Sequence, residues 1–251
     1  MDASEVPIGR LYGDLAHIWP VMSPPGEYAE EAGHWRTVLR EKLGPGRHPV
    51  LELGVGGGHN LSHLASEFDA TAVDLSNDML AVCRKLNPGV PVHQGDMRTV
   101  RLGKTFAAVL IHDAIGHMLT EADLLAAFET AAAHLEPGGF LITSPDRFLE
   151  SFDPPETDQA SHTVGETEVT YFEYTHDPDP GDTMLETIIT YFIHTREGLR
   201  IEHDRHMTGV FPKSTWLRLL ETAGFSAEVK SFYLETCKQP YELLVGTLKL
   251  S

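Results

Sequence analysis

Glu52, Gly54, Gly56 and Gly58 stand at alternate positions in the run Val-Leu-Glu-Leu-Gly-Val-Gly-Gly-Gly, residues 50–58. Val50, Leu51 and Leu53 read as a buried strand, and a helix is predicted over 60–67. A strand, a turn of glycines free to take positive φ and a helix N-terminus bring bare backbone N–H groups against a ligand. The carboxylate of Glu52 beside that turn favours a cationic ligand. Asp74 ends a second predicted strand, 70–74, where a carboxylate can accept the hydroxyls of a ribose. A dinucleotide turn, Gly-x-Gly-x-x-Gly, would need its third glycine at position 59, which is His59.

The spacing Gly54-x-Gly56-x-Gly58 led by Glu52 resembles the first motif of the class I S-adenosylmethionine (SAM)-dependent methyltransferases. Gly95-Asp96-Met97 follows a third short strand (90–94), and the resemblance implies that Asp96 faces the adenine amino group. A fourth strand (106–112) leads into the loop 113–118, and the family's Leu-x-Pro-Gly-Gly turn (135–139) leads into a fifth strand (140–143). The resemblance covers residues 48–145 in unbroken order. It implies SAM as cofactor, held by Glu52, Gly54, Gly56, Gly58, Asn60, Asp74, Leu75, Met79, Asp96, Met97 and His112. SAM carries an ammonium and a sulfonium and no pyrophosphate, in keeping with Glu52. A nicotinamide-dependent oxidoreductase is the alternative reading, and a SAM-binding protein without catalysis is a third.

Ligands of doubly wound sheets bind beyond the carboxyl ends of the strands. The loop after the fourth strand, His112-Asp113-Ala114-Ile115-Gly116-His117-Met118, therefore faces the reacting methyl. Ile-Gly-His-Met resembles the segment of bacterial amino-sugar N-methyltransferases that carries their proposed catalytic histidine, which implies His117 as base. His112 and Asp113 are expected to shape the same site. Methyl transfer to N or O of a small-molecule acceptor is an in-line displacement that rests mainly on positioning and electrostatics. Histidine suits proton removal near neutral pH. Tyr12, Trp19, Tyr28, His117 and Arg205 are the expected substrate contacts. The insert lacks an obvious basic cluster for a nucleotide diphosphate. His59 and His63 have helical i, i+4 spacing, but the run is His-Asn-Leu-Ser-His without the metalloprotease glutamate, and no metal is expected.

These residues need a frame. Leu11, Tyr12, Leu15, Ile18 and Trp19 predict an amphipathic helix over 10–21, ended by Pro20, Pro24 and Pro25; a second helix is predicted over 27–43. The resemblance implies that this helical lid, residues 1–46, folds over a SAM-binding core at 47–149. Residues 150–163 are polar and read as a loop. Alternation over 168–176, 184–194 and 199–210 predicts an antiparallel β-meander within an insertion at 150–211. A helix over 213–223 and strands over 225–235 and 241–248 would close the chain, residues 212–251. The expected fold is α/β: the family's Rossmann-like seven-stranded sheet with helices on both faces, lid and insert.

A formal charge of −18 over 251 residues with no basic cluster argues against nucleic acid. No apolar run approaches the length of a membrane span. Two cysteines, Cys83 and Cys237, form no disulfide framework, and residues 1–9 are polar without a signal-peptide pattern. A cytoplasmic enzyme is expected, with a homodimer through the β insertion.

Overall fold

The computed structural model describes residues 9–234 and 240–250; Cys237 and the expected extension of the penultimate strand to 235 lie outside them. The described residues open with 3₁₀ turns at Arg10–Tyr12 and Ala16–Ile18, then α1 (Trp19–Met22), a 3₁₀ turn at Pro25–Tyr28 and α2 (Ala29–Leu43). The expected single helix over 10–21 is thus broken. Gly13 interrupts it with non-helical backbone, and Pro20 opens α1, because a proline in the first turn forfeits no helical hydrogen bond.

β1 (Pro49–Leu53), α3 (His59–Ser62), β2 (Asp69–Asp74), α4 (Asn77–Leu86), β3 (Val92–Gln94), β4 (Phe106–Ile111), α5 (Glu121–Ala133) and β5 (Leu135–Thr143) follow in alternation. α3 is shorter than the expected 60–67 and unwinds into turns after Ser62. β5 starts earlier than expected, because the Pro-Gly-Gly segment forms an irregularity within the strand. Next come β6 (Glu156–Val164), β7 (Thr167–His176), β8 (Met184–Thr195), β9 (Gly198–Gly209), α6 (Lys213–Thr222), β10 (Phe225–Phe232) and β11 (Tyr241–Leu248).

Seven strands form one sheet in the order β10-β11-β5-β4-β1-β2-β3, parallel except where β11 runs against both its neighbours. Alternate residues of the central strands feed two cores. Leu51, Val109 and Ile111 pack with Phe128 and Trp216 of α5 and α6, and Val50, Ala72 and Leu110 pack with Trp35 of α2, Leu61 of α3 and Leu80 of α4. The insert is a separate antiparallel sheet, β6-β7-β8-β9. It has four strands where the sequence suggested three. β6 pairs with β7 along its whole length but is an exposed edge with few apolar side chains, so hydrogen bonding makes a strand that hydrophobic alternation does not announce.

A third core joins lid to insert: Leu11, Leu15, Ile18 and Val21 pack on Val169, Ile189, Tyr191 and Ile193. The insert in turn touches the loop after β4. Thr183 Oγ1 donates to the Leu119 carbonyl at 2.7 Å, and a Cβ at Gly209 would overlap the Met118 carbonyl oxygen. Gly209→Ala is therefore expected to lower unfolding stability by about 1–3 kcal/mol in denaturant titrations. Gly33→Ala, in the middle of α2 with open space around it, is expected to raise stability by about 0.5–1 kcal/mol. Equal stability of Gly209→Ala and the native protein would refute the close approach.

Candidate active site

The glycine turn is built as its spacing requires. Gly54, Gly56 and Gly58 have φ of 74°, 53° and 75°. The N–H groups of Gly54 and Val55 both donate to the Val73 carbonyl, at 2.8 and 3.0 Å, which folds the turn across the end of β2. There the Asp74 carboxylate accepts from Gly56 N at 2.7 Å and Ser76 N at 2.8 Å. Ser76 caps α4 by accepting from Met79 N at 3.1 Å and donates its hydroxyl proton to the Tyr12 carbonyl at 2.5 Å, tying the lid to this loop.

A cavity of about 400 Å³ opens above the carboxyl edge of the sheet. One part of its wall comes from the turns after β1, β2 and β3: Glu52, Gly54, Gly56, Asn60, Asp74, Leu75, Met79, Asp96 and Met97. The loops after β4 and β5 add His112, Asp113, His117 and Asp146, the insert adds Glu173 and His206, and the lid adds Tyr12, Trp19 and Tyr28. Two expected contacts are not in this wall. Gly58 packs against α4, where a Cβ would come within 2.6 Å of Cys83 Sγ and 2.5 Å of Asn87 Nδ2, so its role is helix packing. Arg205 is exposed and ion-paired with Glu186, because the alternation of β9 turns it to the face of the insert opposite His206. It is withdrawn as a substrate contact.

The side near the glycine turn collects buried acceptors. Glu52 is 2% exposed, its Oε2 has no partner, and burial, reinforced by Glu31 and Asp74, pushes its carboxyl up to about 8. His112 lies flat on Trp35, with ring centroids 3.5 Å apart. Its Nδ1 is 3.1 Å from Glu31 Oε1, which also accepts from Tyr241 Oη at 2.6 Å. Burial lifts the Glu31 carboxyl, but these hydrogen bonds outweigh it and hold the group below its ordinary value. His112 Nδ1 also lies 2.9 Å from Asn60 Nδ2. Glu52 Oε2, Asn60 Oδ1 and His112 Nε2 are all buried and unpartnered. Two bare oxygens in one cavity wall, Glu52 Oε2 and Asn60 Oδ1, suit an ammonium, which has three donors and no acceptor.

Trp19 and Tyr28, expected on the substrate side, instead sit beside the glycine turn. Trp19 Nε1 donates to His59 Nδ1 at 3.1 Å, and the Tyr28 ring meets the His59 ring edge-on. Asp96 reaches the cavity already engaged: Arg98, bound also to Asp123, holds its carboxyl below the usual range against the upward push of burial.

On the other side, His117 Nε2 is 3.2 Å from Tyr12 Oη. Tyr12 stacks on His206, whose Nε2 bonds Asp204 Oδ2 at 2.9 Å. Burial, aided by His206, pushes the His117 imidazole down to about 4. Asp113 and Asp146 follow the adjacent parallel strands β4 and β5. They are open to the cavity but deep within the fold; burial, then the Asp146 charge, raises Asp113, and burial, helped by Glu31 and Glu156, raises Asp146. Glu173 is raised as well, chiefly by burial. Sequence reasoning missed Glu31, Asp146 and Glu173. The available signals were the position of Asp146 just past a strand end and, for Glu31, the segment Tyr28-Ala29-x-Glu31-Ala32, which resembles the amino-sugar N-methyltransferases; nothing marked Glu173.

Comparison with known proteins agrees with this geometry. Residues 50–139 match a family model described as a methyltransferase domain. A dTDP-3-amino-3,4,6-trideoxy-α-D-glucopyranose N,N-dimethyltransferase from Streptomyces venezuelae is 32% identical over 88% of this chain and 91% of its own. The chain is a class I SAM-dependent methyltransferase, close to the amino-sugar N-methyltransferases. Its cofactor is SAM, and the nicotinamide reading is set aside. The methyltransferase superposes on the sugar N-methyltransferase KedS8 from a Streptoalloteichus species with a TM-score of 0.80 (27% identity, 97% of this chain, 95% of that one). On SAM-bound CalS10, an amino pentose methyltransferase from Micromonospora echinaspora, the score is 0.73 (26% identity, 88% and 91% of the two chains).

The buried carboxyl gives a pH dependence. Between about 4.5 and 8 folded Glu52 keeps a proton that the unfolded chain has lost, so its contribution to stability is full below 4.5 and lost as pH rises to 8. His59 and His117 act oppositely: below 6.5 the unfolded chain takes up protons that the fold excludes down to about 4. Thermal unfolding of the ligand-free methyltransferase should therefore show a falling Tm from pH 6.5 to 8, flattened in Glu52→Gln. A native slope retained in that variant would remove Glu52 as its source.

Proposed function

We propose that the methyltransferase N-methylates the amino group of an amino sugar. The observation that carries this reading is the cluster of Asp113, Asp146 and Glu173 in the cavity wall around His117. Carboxyl groups clustered in a cavity wall attract an ammonium and give a hydroxyl no comparable advantage. The relatives' names place their sugars on dTDP. Among the described residues of this wall both arginines are committed, Arg98 to Asp96 and Asp123, Arg147 to Glu156, so a nucleotide would lie outside the cavity.

When bound, the cofactor supplies an electrophilic methyl group on a sulfonium. Glu52 and Asn60, beside His112, would hold its ammonium, Asp74 its ribose hydroxyls, and Leu75, Met79 and Met97 its adenine. On the substrate side the carboxyl pair Asp113 and Asp146 draws in the amine as its ammonium and takes the proton that must leave before the nitrogen lone pair is free. Their raised carboxyls are better matched to that transfer than an imidazole at about 4. His117, neutral and fixed by Tyr12, accepts an N–H of the amine and aims the lone pair along the line of displacement.

Methyl transfer from labelled SAM to paired amino and hydroxy sugars, free and dTDP-linked, tests the reading; transfer to the hydroxy sugars alone would overturn it. His117→Ala should lower kcat about 100-fold with little change in SAM affinity, and Asp146→Asn should lower kcat and raise the KM of the amine.

We also propose that two copies pair through the outer face of the insert. Phe172, Tyr174, Ile188, Phe192 and Ile201 share that face and are exposed. Light scattering should give a dimer, and Phe192→Glu a monomer.

A further inference from the structure

The insert reaches the transfer site through a residue outside the cavity wall. Asp204 is 7% exposed in the middle of β9. Its Oδ1 accepts from Arg10 N at 2.8 Å, and its Oδ2 accepts from Leu11 N at 2.7 Å and bonds His206 Nε2 at 2.9 Å. Two consecutive backbone N–H groups of the lid thus converge on one carboxylate, the arrangement by which a helix cap or an anion nest is held.

The next residue is Tyr12. Its ring lies 5.0 Å from that of His206, its hydroxyl meets His117 Nε2, and its carbonyl accepts from Ser76 of the cofactor loop. A Cβ on Gly9 would overlap the His206 ring, so the chain entering this turn packs directly against the same histidine. Glu202 also binds Arg10, at 2.8 Å, but that arginine is well exposed and the pair adds little.

We propose that Asp204 is a positioning residue for methyl transfer: it latches the Arg10–Leu11 backbone to β9 and thereby sets Tyr12 against His117 and over the cofactor loop. It touches neither cofactor nor substrate. Because the latch lies on the insert, the lid closes on the substrate-binding sheet as well as on the cofactor half. The inference rests on His117 and Tyr12 standing at the transfer site, as proposed above.

Two measurements on the full chain test it, and neither needs the substrate amine. The first is the dissociation rate of S-adenosylhomocysteine in stopped flow. The second is the titration of the His117 ring by NMR, identified by its loss in His117→Ala. In Asp204→Ala, S-adenosylhomocysteine should leave about tenfold faster or more, and His117 should titrate from about 4 toward 6.5 as the released lid admits water. Asp204→Asn, which keeps the shape but offers one acceptor oxygen, should move both readouts the same way by less. Glu202→Gln should leave both as in the native protein. Should Asp204→Ala not fold, Asp204→Asn decides by the same two readouts. A folded variant with native dissociation and native His117 titration would overturn the latch, whatever the identity of the amine.

Discussion

An unbalanced carboxyl at the end of β1 governs this site. Glu52 is buried between two apolar cores, with one oxygen lacking any partner among the described residues. Such a group is costly to bury as an anion, and here burial shifts its ionisation instead. The cost is local, since the apolar strands β1 and β4 on either side of the position hold the fold regardless. What Glu52 supplies is a demand for positive charge, and the cofactor is a cation that can meet it. The same logic recurs one strand over, where burial raises the carboxyls of Asp113 and Asp146.

Much of the cofactor half is legible in the sequence because it is local. Gly54 and Gly56 need positive φ, Asp74 reaches back to the Gly56 N–H, and Ser76 caps α4; each relation spans fewer than 20 residues and leaves a mark in residue type and spacing. The sheet order follows from the same alternation of strand and helix. The rest of the site is different. Glu31 finds His112 across 81 positions and Tyr241 across 210, and Asp204 finds Leu11 across 193. No periodicity encodes such meetings; they exist only after lid, core and insert have packed. Glu173 is unmarked in a strand that alternates like any other. Arg205 and His206 show the finer limit: alternation separates their faces, but only the packed lid reveals which face is inside.

The lid is held from two sides. Toward the core its first segment is tied by polar contacts, Ser76 to the Tyr12 carbonyl and Trp19 to His59, and α2 packs Trp35 into the apolar core. Toward the insert it is fixed by an apolar core as well as by Asp204. The substrate sheet is therefore more than a wall placed beside the cofactor; it is part of what covers it.

The insert hangs from the core by two crossings that leave and return side by side, bridged where Leu149 N donates to the Phe211 carbonyl at 3.1 Å. Everything between them can change without altering a register pair of the large sheet. Residues 150–211 are thus an exchangeable cassette in evolutionary terms: acceptor preference can drift by rewriting that sheet's inner face while the methyl-donor chemistry is inherited untouched, provided the aspartate that greets the lid travels with it.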